Sequence, residues 1–325
     1  MQAIPNIHTL TNILITRCEG SLGDAILSSG CFREIKRVNP HIKITVACFR
    51  LAYEFFKQNP YIDELFKLPI KTHIRRHQRW PSLIWAGLQL RKKHFDLVID
   101  SSRKLAWNWR LCKWLAGSGR VLDAFHVPQL WPSESQHATD QEATILKLLG
   151  ITNPSLHYDL PVPPQAQLYI QNSLTQLDIK KYILLNPTGS VAYRRFRPEV
   201  LSRLRFLLNS FHLPILLCAA PDQVHHWENT CKSLKIHILP TPTLFDLIEL
   251  VRRASLVITP DTSVVHIASG FQKLTLAFYN RFIPYYAPNN PRAFVIKTHP
   301  ANVNELDWAQ VETALEQIKR ELLVE

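Results

Sequence analysis

The segment between residues 12 and 38 limits the fold of this chain more than any other part of it. An apolar run of strand length, Asn12–Arg17, is followed by a glycine-containing turn and then by Asp24. Apolar residues at helical spacing come next: Ile26, Leu27, Cys31, Ile35 and Val38. The order strand, glycine turn, carboxylate, helix is typical of the beginning of a doubly wound α/β domain.

Asp24 is a candidate general base because of its place in that order. In sheets of this kind the ligand pocket lies outside the carboxyl ends of the strands, so we expect the Asp24 carboxylate to face a cleft. The alternative is that Asp24 or Ser21 only caps the helix, which contributes about 0.5–2 kcal/mol to stability.

Length and charge restrict the class of protein and of its partners. A chain of 325 residues is longer than one hydrophobic core usually allows, so we expect two domains. Hydrophobic residues make up 46% and charged residues 20%, as in an ordered globular protein. The net charge of +12 favours an anionic partner: nucleic acid, an acidic membrane surface or a phosphorylated substrate.

The cysteines and the first residues indicate a reducing compartment. The cysteines form no Cys-x-x-Cys pair and no zinc-like spacing, and several lie in apolar runs. They are Cys18, Cys31, Cys48, Cys112, Cys218 and Cys231. No signal peptide is evident, and no stretch reaches the ~18–20 apolar residues of a membrane span. We therefore expect a cytoplasmic protein.

Short apolar runs alternate with helical segments along the whole chain. The predicted strands are 13–16, 42–48, 95–100, 120–123, 182–186, 214–219, 236–239, 256–259, 274–279 and 294–297. The predicted helices are 25–38, 51–58, 82–93, 105–115, 140–149, 198–208, 223–234, 244–254, 264–269 and 308–323. The proline-rich stretch 154–164 indicates a linker. Nearly continuous apolar strands suit parallel sheets covered on both faces, so the sequence predicts two similar α/β halves with a cleft between them.

A second candidate site begins at Asp261, directly after a predicted strand. A helix is predicted from about Thr262, and the N–H groups of its first turn, together with the helix dipole, favour an anion. Ser263 adds a hydroxyl, and His266 lies one turn on, on the same face as Thr262. The alternative is an Asp261 N-cap with an incidental histidine.

A third candidate site is the loop after the first predicted strand of the second half. Thr188, Gly189 and Ser190 let the backbone approach a phosphate, and Arg194 or Arg195 can neutralise it. The loop is not a P-loop, because no Gly-Lys-Ser/Thr follows. The alternative is a solvated basic loop.

Asp222 is a weaker candidate. It lies just past a predicted strand, where α/β folds often hold a ribose hydroxyl. A plain helix cap is the alternative reading.

The stretch from Lys71 to Lys93 is strongly basic. It contains seven Lys and Arg, two His and no acidic residue, interleaved with tryptophan and aliphatic side chains. As a helix over 82–93 it would form an amphipathic basic surface. The alternative is a solvated basic helix with an apolar stripe facing the core.

Four of these segments together resemble glycosyltransferase family 9, the ADP-heptose:lipopolysaccharide heptosyltransferases. They are Ser21-Leu-Gly-Asp24, Asn59-Pro-Tyr-Ile-Asp63, Leu185-Asn-Pro-Thr-Gly-Ser190 and Asp261-Thr-Ser-Val-Val-His266. The resemblance runs over nearly the whole chain. It implies a GT-B fold, two Rossmann-like domains with parallel sheets facing across a cleft, at residues 1–160 and 161–325. It leaves open whether the last helix packs back on the N-terminal domain.

The resemblance also implies an activity and a role for each candidate residue. Heptose would pass from ADP-heptose to the inner core of lipopolysaccharide with inversion, without a metal or a bound cofactor. Asp24 would deprotonate the acceptor hydroxyl, Asp222 would contact the ribose, and Asp261 would hold the donor sugar or its phosphate. The residues around the donor diphosphate would be Thr188, Gly189, Ser190, Arg194 or Arg195, Thr262, Ser263 and His266.

On the acceptor side the resemblance implies a phosphorylated lipopolysaccharide core and an anionic membrane surface as partners, and no nucleic acid. The protein would then be cytoplasmic and peripheral on the inner face of the inner membrane. The basic residues expected to meet the acceptor are Lys71, Arg75, Arg76, Arg79, Arg103 and Lys104.

The chain departs from the family pattern at three positions. Arg194 or Arg195 stands where the family usually has lysine, Ser263 where glycine is common, and Pro260 where Asn or Gly is more usual. Arginine can bind a diphosphate bidentately, so the role is compatible with this change. A family 9 transferase with a hexose or N-acetylhexosamine nucleotide as donor is therefore an alternative. A sugar-nucleotide epimerase and a basic nucleic-acid-binding protein are further alternatives, although no helix-turn-helix, RNP-like or zinc-finger pattern occurs.

Overall fold

A computed structural model describes residues 4–17, 21–68, 80–100, 117, 119–123, 127, 130 and 136–323. The chain forms two compact units. Unit 1 comprises Met1–Asp159 together with Pro284–Tyr286, and unit 2 comprises Leu160–Ile283 and Ala287–Glu325. In the described ranges no helix is both long enough and apolar enough to cross a bilayer.

Unit 1 is built on a parallel sheet. Its described strands are β1 (Asn12–Arg17), β2 (Lys43–Cys48), β3 (Glu64–Lys67), β4 (Leu97–Asp100) and β5 (Val121–Leu122). Its described helices are α1 (Leu22–Leu27), α2 (Ser29–Val38), α3 (Arg50–Phe56), α4 (Trp80–Arg91) and α5 (Ala138–Leu148). The strand order is β3-β2-β1-β4-β5, so the connections change direction between β1 and β4, as in a doubly wound fold.

The predicted helix 25–38 is two helices, α1 and α2, that meet at Ser28. The Ser28 hydroxyl donates to the carbonyl oxygens of Asp24 at 3.3 Å and Ala25 at 3.2 Å. A serine that bonds back to the preceding turn competes with the helical ladder and bends the helix. Apolar periodicity continues across the break, so the sequence pattern did not reveal it.

The first part of the predicted linker 154–164 is fixed on α2. The Arg33 guanidinium donates to the carbonyl oxygens of Ser155 at 2.8 Å and His157 at 3.1 Å, and the Ser29 hydroxyl accepts from the Asp159 N–H at 2.8 Å. This segment therefore belongs to unit 1 by its hydrogen bonds as well as by its position in the chain.

Unit 2 has the same plan, with one more strand than the described part of unit 1. Its strands are β6 (Ile183–Leu185), β7 (Ile215–Ala219), β8 (His237–Pro240), β9 (Leu256–Pro260), β10 (Thr275–Tyr279) and β11 (Ala293–Lys297). Its helices are α6 (Pro164–Gln176), α7 (Pro198–Leu208), α8 (Val224–Leu234), α9 (Leu244–Arg253), α10 (Ser263–Gly270) and α11 (Trp308–Leu322). All strands are parallel in the order β11-β10-β9-β6-β7-β8, with the switch of direction between β6 and β9.

The core of unit 2 accounts for its nearly continuous apolar strands. Every residue of β6, β7, β9 and β10 is buried, because helices cover both faces of the sheet. Phe196, from the loop after β6, packs edge-on against Phe278 of β10 with ring centroids 5.3 Å apart. The last helix, α11, belongs to unit 2 and packs on α7 and β11.

Two elements were missed in the sequence, and one prediction lies outside the described residues. Helix α6 begins with Pro164 at its first position, where a proline N–H would have no helical partner in any case, so the proline was misread as a breaker. Strand β3 is short and only half-buried, without a strong apolar run. The predicted helix 105–115 lies in the part of the chain that the structure does not describe.

The four described cysteines are buried, as the sequence predicted for several of the six. They are Cys31, Cys48, Cys218 and Cys231. Burial raises the pKa of Cys48 and of Cys218 to about 12, which suppresses the reactive thiolate at neutral pH. Cys18 and Cys112 lie outside the described residues.

Candidate active site

The polar residues of unit 2 converge where β6 and β9 end. These strands are neighbours in the sheet, and the connections change direction between them. Ligands of doubly wound sheets bind in the crevice at this position. The loop that follows β6 carries Thr188, Gly189 and Arg194, and the turn that follows β9 carries Asp261 and Thr262.

Asn186 joins the two loops. Its buried side-chain amide donates to the hydroxyl oxygens of Thr259 at 2.9 Å and Thr262 at 3.1 Å, and to the Thr188 carbonyl oxygen at 3.2 Å. Its Oδ1 accepts from the Thr188 hydroxyl at 3.0 Å and from the Thr188 N–H at 3.3 Å. One side chain thereby sets the position of two of the predicted donor-binding threonines.

Thr262, rather than Asp261, is the N-cap of α10. Its hydroxyl oxygen accepts from the Val264 N–H at 3.3 Å, while the Asp261 N–H donates to the Phe278 carbonyl oxygen at 2.8 Å. The alternative reading of Asp261 as a plain N-cap is therefore wrong. Since α10 starts at the carboxyl ends of the strands, the positive end of its dipole lies at the crevice. His266, one turn on, is buried in this helix.

Asp261 forms an ion pair with Arg194. One guanidinium nitrogen lies 3.0 Å from the Asp261 Oδ2, and another donates to the Asp261 carbonyl oxygen at 3.3 Å. Burial raises the pKa of Asp261 to about 6, against the attraction of Arg194, which lowers it. The basic loop is thus only partly solvated, because its Arg194 is fixed at the strand ends.

The other members of the loop lie further out. Arg195 is exposed and its Nε donates to the Gly189 carbonyl oxygen at 3.0 Å. Ser190 is exposed, and Ser263 is partly buried at the first position of α10. Asp222 is exposed in a 3-10 turn between β7 and α8, whose N-cap is Gln223, so its carboxylate is accessible at a strand end.

In unit 1, Asp24 also lies just after the central strand of a doubly wound sheet. Ser21 is the N-cap of α1: its hydroxyl oxygen accepts from the Asp24 N–H at 3.3 Å, and the hydroxyl donates to the Asp24 carboxylate. The capping role therefore belongs to Ser21, and Asp24 is the third helical residue. Its side chain is buried at the carboxyl end of β1, next to the switch between β1 and β4.

The arrangement in unit 2 can neutralise an anion with a positioned guanidinium, two threonine hydroxyls and a helix dipole. Comparison with known proteins identifies the family of the chain. The model of glycosyltransferase family 9 (heptosyltransferase) matches residues 86–307, about two thirds of the chain. The chain belongs to glycosyltransferase family 9.

Individual relatives cover the chain more fully. A protein of Escherichia coli named "Putative lipopolysaccharide heptosyltransferase 4" is 25% identical over 331 residues, which is 94% of this chain and 86% of that protein. The crystal structure of a family 9 glycosyl transferase from Veillonella parvula is 18% identical with a TM-score of 0.79, covering 96% of this chain and 98% of that one. Escherichia coli heptosyltransferase WaaC with ADP-2-deoxy-2-fluoro heptose is 17% identical with a TM-score of 0.69, covering 94% and 99%.

Family membership makes the chain a glycosyltransferase. The predicted resemblance to family 9 and the predicted GT-B fold, with two parallel-sheet α/β domains, are confirmed.

The predicted acceptor-binding residues all lie outside the described part of the chain. They are Lys71, Arg75, Arg76, Arg79, Arg103 and Lys104. Helix α4, which follows the first four, exposes three large apolar side chains: Ile84 at 40%, Trp85 at 52% and Leu88 at 46%. Leu83 and Leu90 of this helix are buried and form the core-facing stripe of the alternative interpretation. That interpretation does not account for the three exposed apolar side chains.

Sequence reasoning missed Asn186 and Thr259 as parts of the site. Each is a buried polar residue at the carboxyl end of an apolar strand. A polar residue at the end of a buried apolar run was the available signal. Within the described ranges, no three His, Cys, Asp or Glu side chains group as metal ligands.

Proposed function

We propose that this chain transfers heptose from ADP-heptose to the inner core of lipopolysaccharide, inverting the anomeric carbon without a metal. The observation that carries the proposal is the Arg194–Asp261 pair beside the N-terminus of α10 at the switch point of unit 2. The name of the Escherichia coli relative and the ligand named with the WaaC structure support the donor and the acceptor.

In this reaction the leaving diphosphate gains negative charge as its bond to the sugar breaks. The Arg194 guanidinium, the hydroxyls of Thr188 and Thr262 and the dipole of α10 would stabilise that charge before the reaction begins, which is the usual largest contribution to catalysis. Asp222, exposed after β7, would accept a hydrogen bond from the donor ribose. Ser263 and His266 complete the proposed donor site.

Asp24 would take the proton from the attacking acceptor hydroxyl. A positioned general base contributes about 10²–10⁴-fold to rate. The Ser21 hydroxyl that donates to this carboxylate would hold one oxygen and so fix the orientation of the other. The reaction needs no further proton carrier, because the departing diphosphate leaves as an anion.

The test is nucleoside-diphosphate release with truncated-core lipopolysaccharide and a panel of nucleotide-sugars. We expect acceptor-dependent ADP release from ADP-heptose, reduced at least about 10²-fold in Asp24→Asn. Asp178→Asn is the matched control: this aspartate is exposed at φ 53°, a conformation that asparagine tolerates, and activity should not change. Turnover only with a hexose or N-acetylhexosamine nucleotide would show that the donor is not ADP-heptose, while the assignment to family 9 would stand.

We also propose that the enzyme works at the anionic inner face of the inner membrane. The exposed apolar residues of α4 lie beside exposed Arg91 and Lys92, a combination that suits an interface of acidic lipids. Cosedimentation with vesicles that contain phosphatidylglycerol should fall in Trp85→Ser/Leu88→Ser. Leu168→Ser, at an exposed position of α6, is the control, and equal binding by all three proteins would contradict the proposal.

A further inference from the structure

Unit 2 contains a cavity of about 530 Å³ that the proposed donor site does not use. It lies between the loop 192–198, the beginning of α8 and the loop 301–304. Arg195 and Arg197 face it, whereas Arg194, Thr188 and Asp261 are not among its lining residues. Arg194 therefore lies at the proposed donor site, whereas the next residue, Arg195, lines the cavity.

The walls of this cavity are held together by backbone and side-chain hydrogen bonds. The Val303 N–H donates to the Tyr193 carbonyl oxygen at 2.9 Å. The Asn304 side chain accepts from the Arg197 N–H at 2.8 Å and donates to the Arg195 carbonyl oxygen at 2.9 Å. These bonds join the two loops at three points, so the backbone of both arginines is fixed before any ligand arrives.

The charge of the cavity is positive. Arg195, Arg197 and His226 line it, and none of the described residues that line it is acidic. The Arg195 Nε donates to a backbone carbonyl, and in the described part of the chain neither guanidinium forms an ion pair. Neither arginine of the cavity is neutralised by a carboxylate, so a bound anion would receive charge-assisted hydrogen bonds from them.

A buried tryptophan also lies in the wall. Trp227 is 3% exposed, and its indole N–H is buried without a hydrogen-bond partner among the described residues. Its ring contacts His226 edge-on, with centroids 4.8 Å apart. Because Trp227 lines the cavity, its indole N–H serves as a local reporter of a ligand bound there.

We propose that this cavity binds a phosphorylated sugar at a site separate from the nucleotide-sugar site. Guanidinium forks match the geometry of a phosphate, and two of them can hold a dianion. The volume is that of a small-molecule site and exceeds what inorganic phosphate alone would fill. The Tyr193 ring supplies a flat surface of the kind that a sugar ring contacts.

This proposal concerns binding and does not rest on the transfer reaction. The ligand could reach the site as a free sugar phosphate or as a phosphorylated residue of a larger saccharide. The two sources share their chemistry, and they differ in whether a small free compound saturates the site.

The experiment follows the Trp227 indole N–H in protein labelled with ¹⁵N-tryptophan, with its resonance assigned through Trp227→Phe. The probes are glucose 6-phosphate, inorganic phosphate, glucose and truncated-core lipopolysaccharide with and without its phosphates. We expect a saturable shift with a phosphorylated probe and none with glucose. Saturation by glucose 6-phosphate would support a free sugar phosphate as the ligand. Saturation only by the phosphorylated saccharide would support a phosphorylated residue of a larger saccharide.

The variant Arg195→Gln/Arg197→Gln should weaken this binding at least about tenfold, as expected for the loss of charge-assisted hydrogen bonds. Arg203→Gln/Arg205→Gln removes the same charge from α7 outside the cavity and should leave the binding unchanged. If the first double variant does not fold, His226→Gln at an exposed position replaces it, with a smaller loss expected.

Three results would overturn the proposal. One is an equal response to glucose and to glucose 6-phosphate, with none to the phosphorylated saccharide. Another is inorganic phosphate binding as tightly as every sugar phosphate, since the sugar would then make no contact. The third is loss of the Trp227 response in Arg194→Gln, which would merge this cavity with the donor site. Absence of glycosyltransfer would change none of these shifts, so the two proposals fail separately.

Discussion

Gly189 and Arg194 lie so close together that a Cβ atom on Gly189 would meet the Arg194 carbonyl oxygen at 2.6 Å and the Arg194 Cβ at 2.7 Å. Cβ atoms almost never make contacts this short, and the obstacle includes backbone. Any larger residue at position 189 must therefore displace Arg194. Because the Arg194 guanidinium holds Asp261, the glycine sets the position of the ion pair at the strand ends.

Gly189→Ala should weaken donor binding. Displacement of the Arg194 backbone removes a charge-assisted contact, so we expect the KM for the nucleotide-sugar to rise about tenfold or more. The measurement is steady-state kinetics with the donor varied. Gly119→Ala is the control, because an added Cβ there meets nothing within 4 Å. Equal KM values for both variants would contradict this explanation.

Asn186→Ala should lower both stability and donor affinity. It leaves buried Thr259 and partly buried Thr188 without their partner, which costs about 1–3 kcal/mol of unfolding free energy. Urea unfolding together with the donor KM gives both quantities. Asn186→Asp keeps the Oδ1 acceptor, so it should retain the contacts from the Thr188 hydroxyl and N–H. It should lose the amide contacts to Thr259, to Thr262 and to the Thr188 carbonyl oxygen. Exposed Asn209→Ala should change stability by less than about 0.5 kcal/mol.

Asp261 makes stability depend on pH in a definite direction. Burial raises its pKa from 3.8 to about 6, so between these values the folded protein binds more protons than the unfolded chain. Its contribution to folding stability is complete below pH 3.8 and is lost as the pH rises through about 6. As the pH rises through this window, the free energy of unfolding of Asp261→Asn should therefore increase relative to that of wild type by on the order of 3 kcal/mol.

Urea unfolding of both proteins between pH 3.5 and 7.5 measures that difference (a range of about four pH units, wide enough to cover the whole transition). Arg194→Gln removes the attraction that lowers the Asp261 pKa, so its loss of stability should extend to higher pH. If the unfolding free energies of wild type and Asp261→Asn changed in parallel with pH, the Asp261 carboxylate would have the same pKa in the folded and unfolded protein, which would contradict the prediction.

Gly30→Ala should destabilise unit 1 although it favours the helix. Alanine in a helix is preferred over glycine by about 1 kcal/mol. Against this, a Cβ on Gly30 would lie 2.5 Å from the His157 carbonyl oxygen, which is held by Arg33. Overpacking of this kind costs about 1–3 kcal/mol, so we expect a net loss. Thermal unfolding measures it, and Gly119→Ala is again the open-space control.

Much of the fold could be predicted because its elements are continuous in the sequence. The strands of unit 2 are buried on both faces, so their sequences are continuous apolar runs. The residue that follows each run lies at the carboxyl edge of the sheet. Thr188, Arg194, Asp261 and Thr262 could be named as candidates in this way. Helix α6 was missed because the proline at its first position was misread as a breaker, and strand β3 because it has no strong apolar run.

By itself the sequence determined the two parallel α/β sheets, the family and the residues at the ends of β1, β6 and β9, because periodicity and short motifs are local properties. Only the tertiary structure decided which of those residues meet. The switch of direction between β6 and β9 brings Asn186 to Thr262 across 76 positions of sequence and separates Arg194 from its neighbour Arg195. Such contacts depend on strand order and on the path of the backbone, which spacing along the chain does not encode.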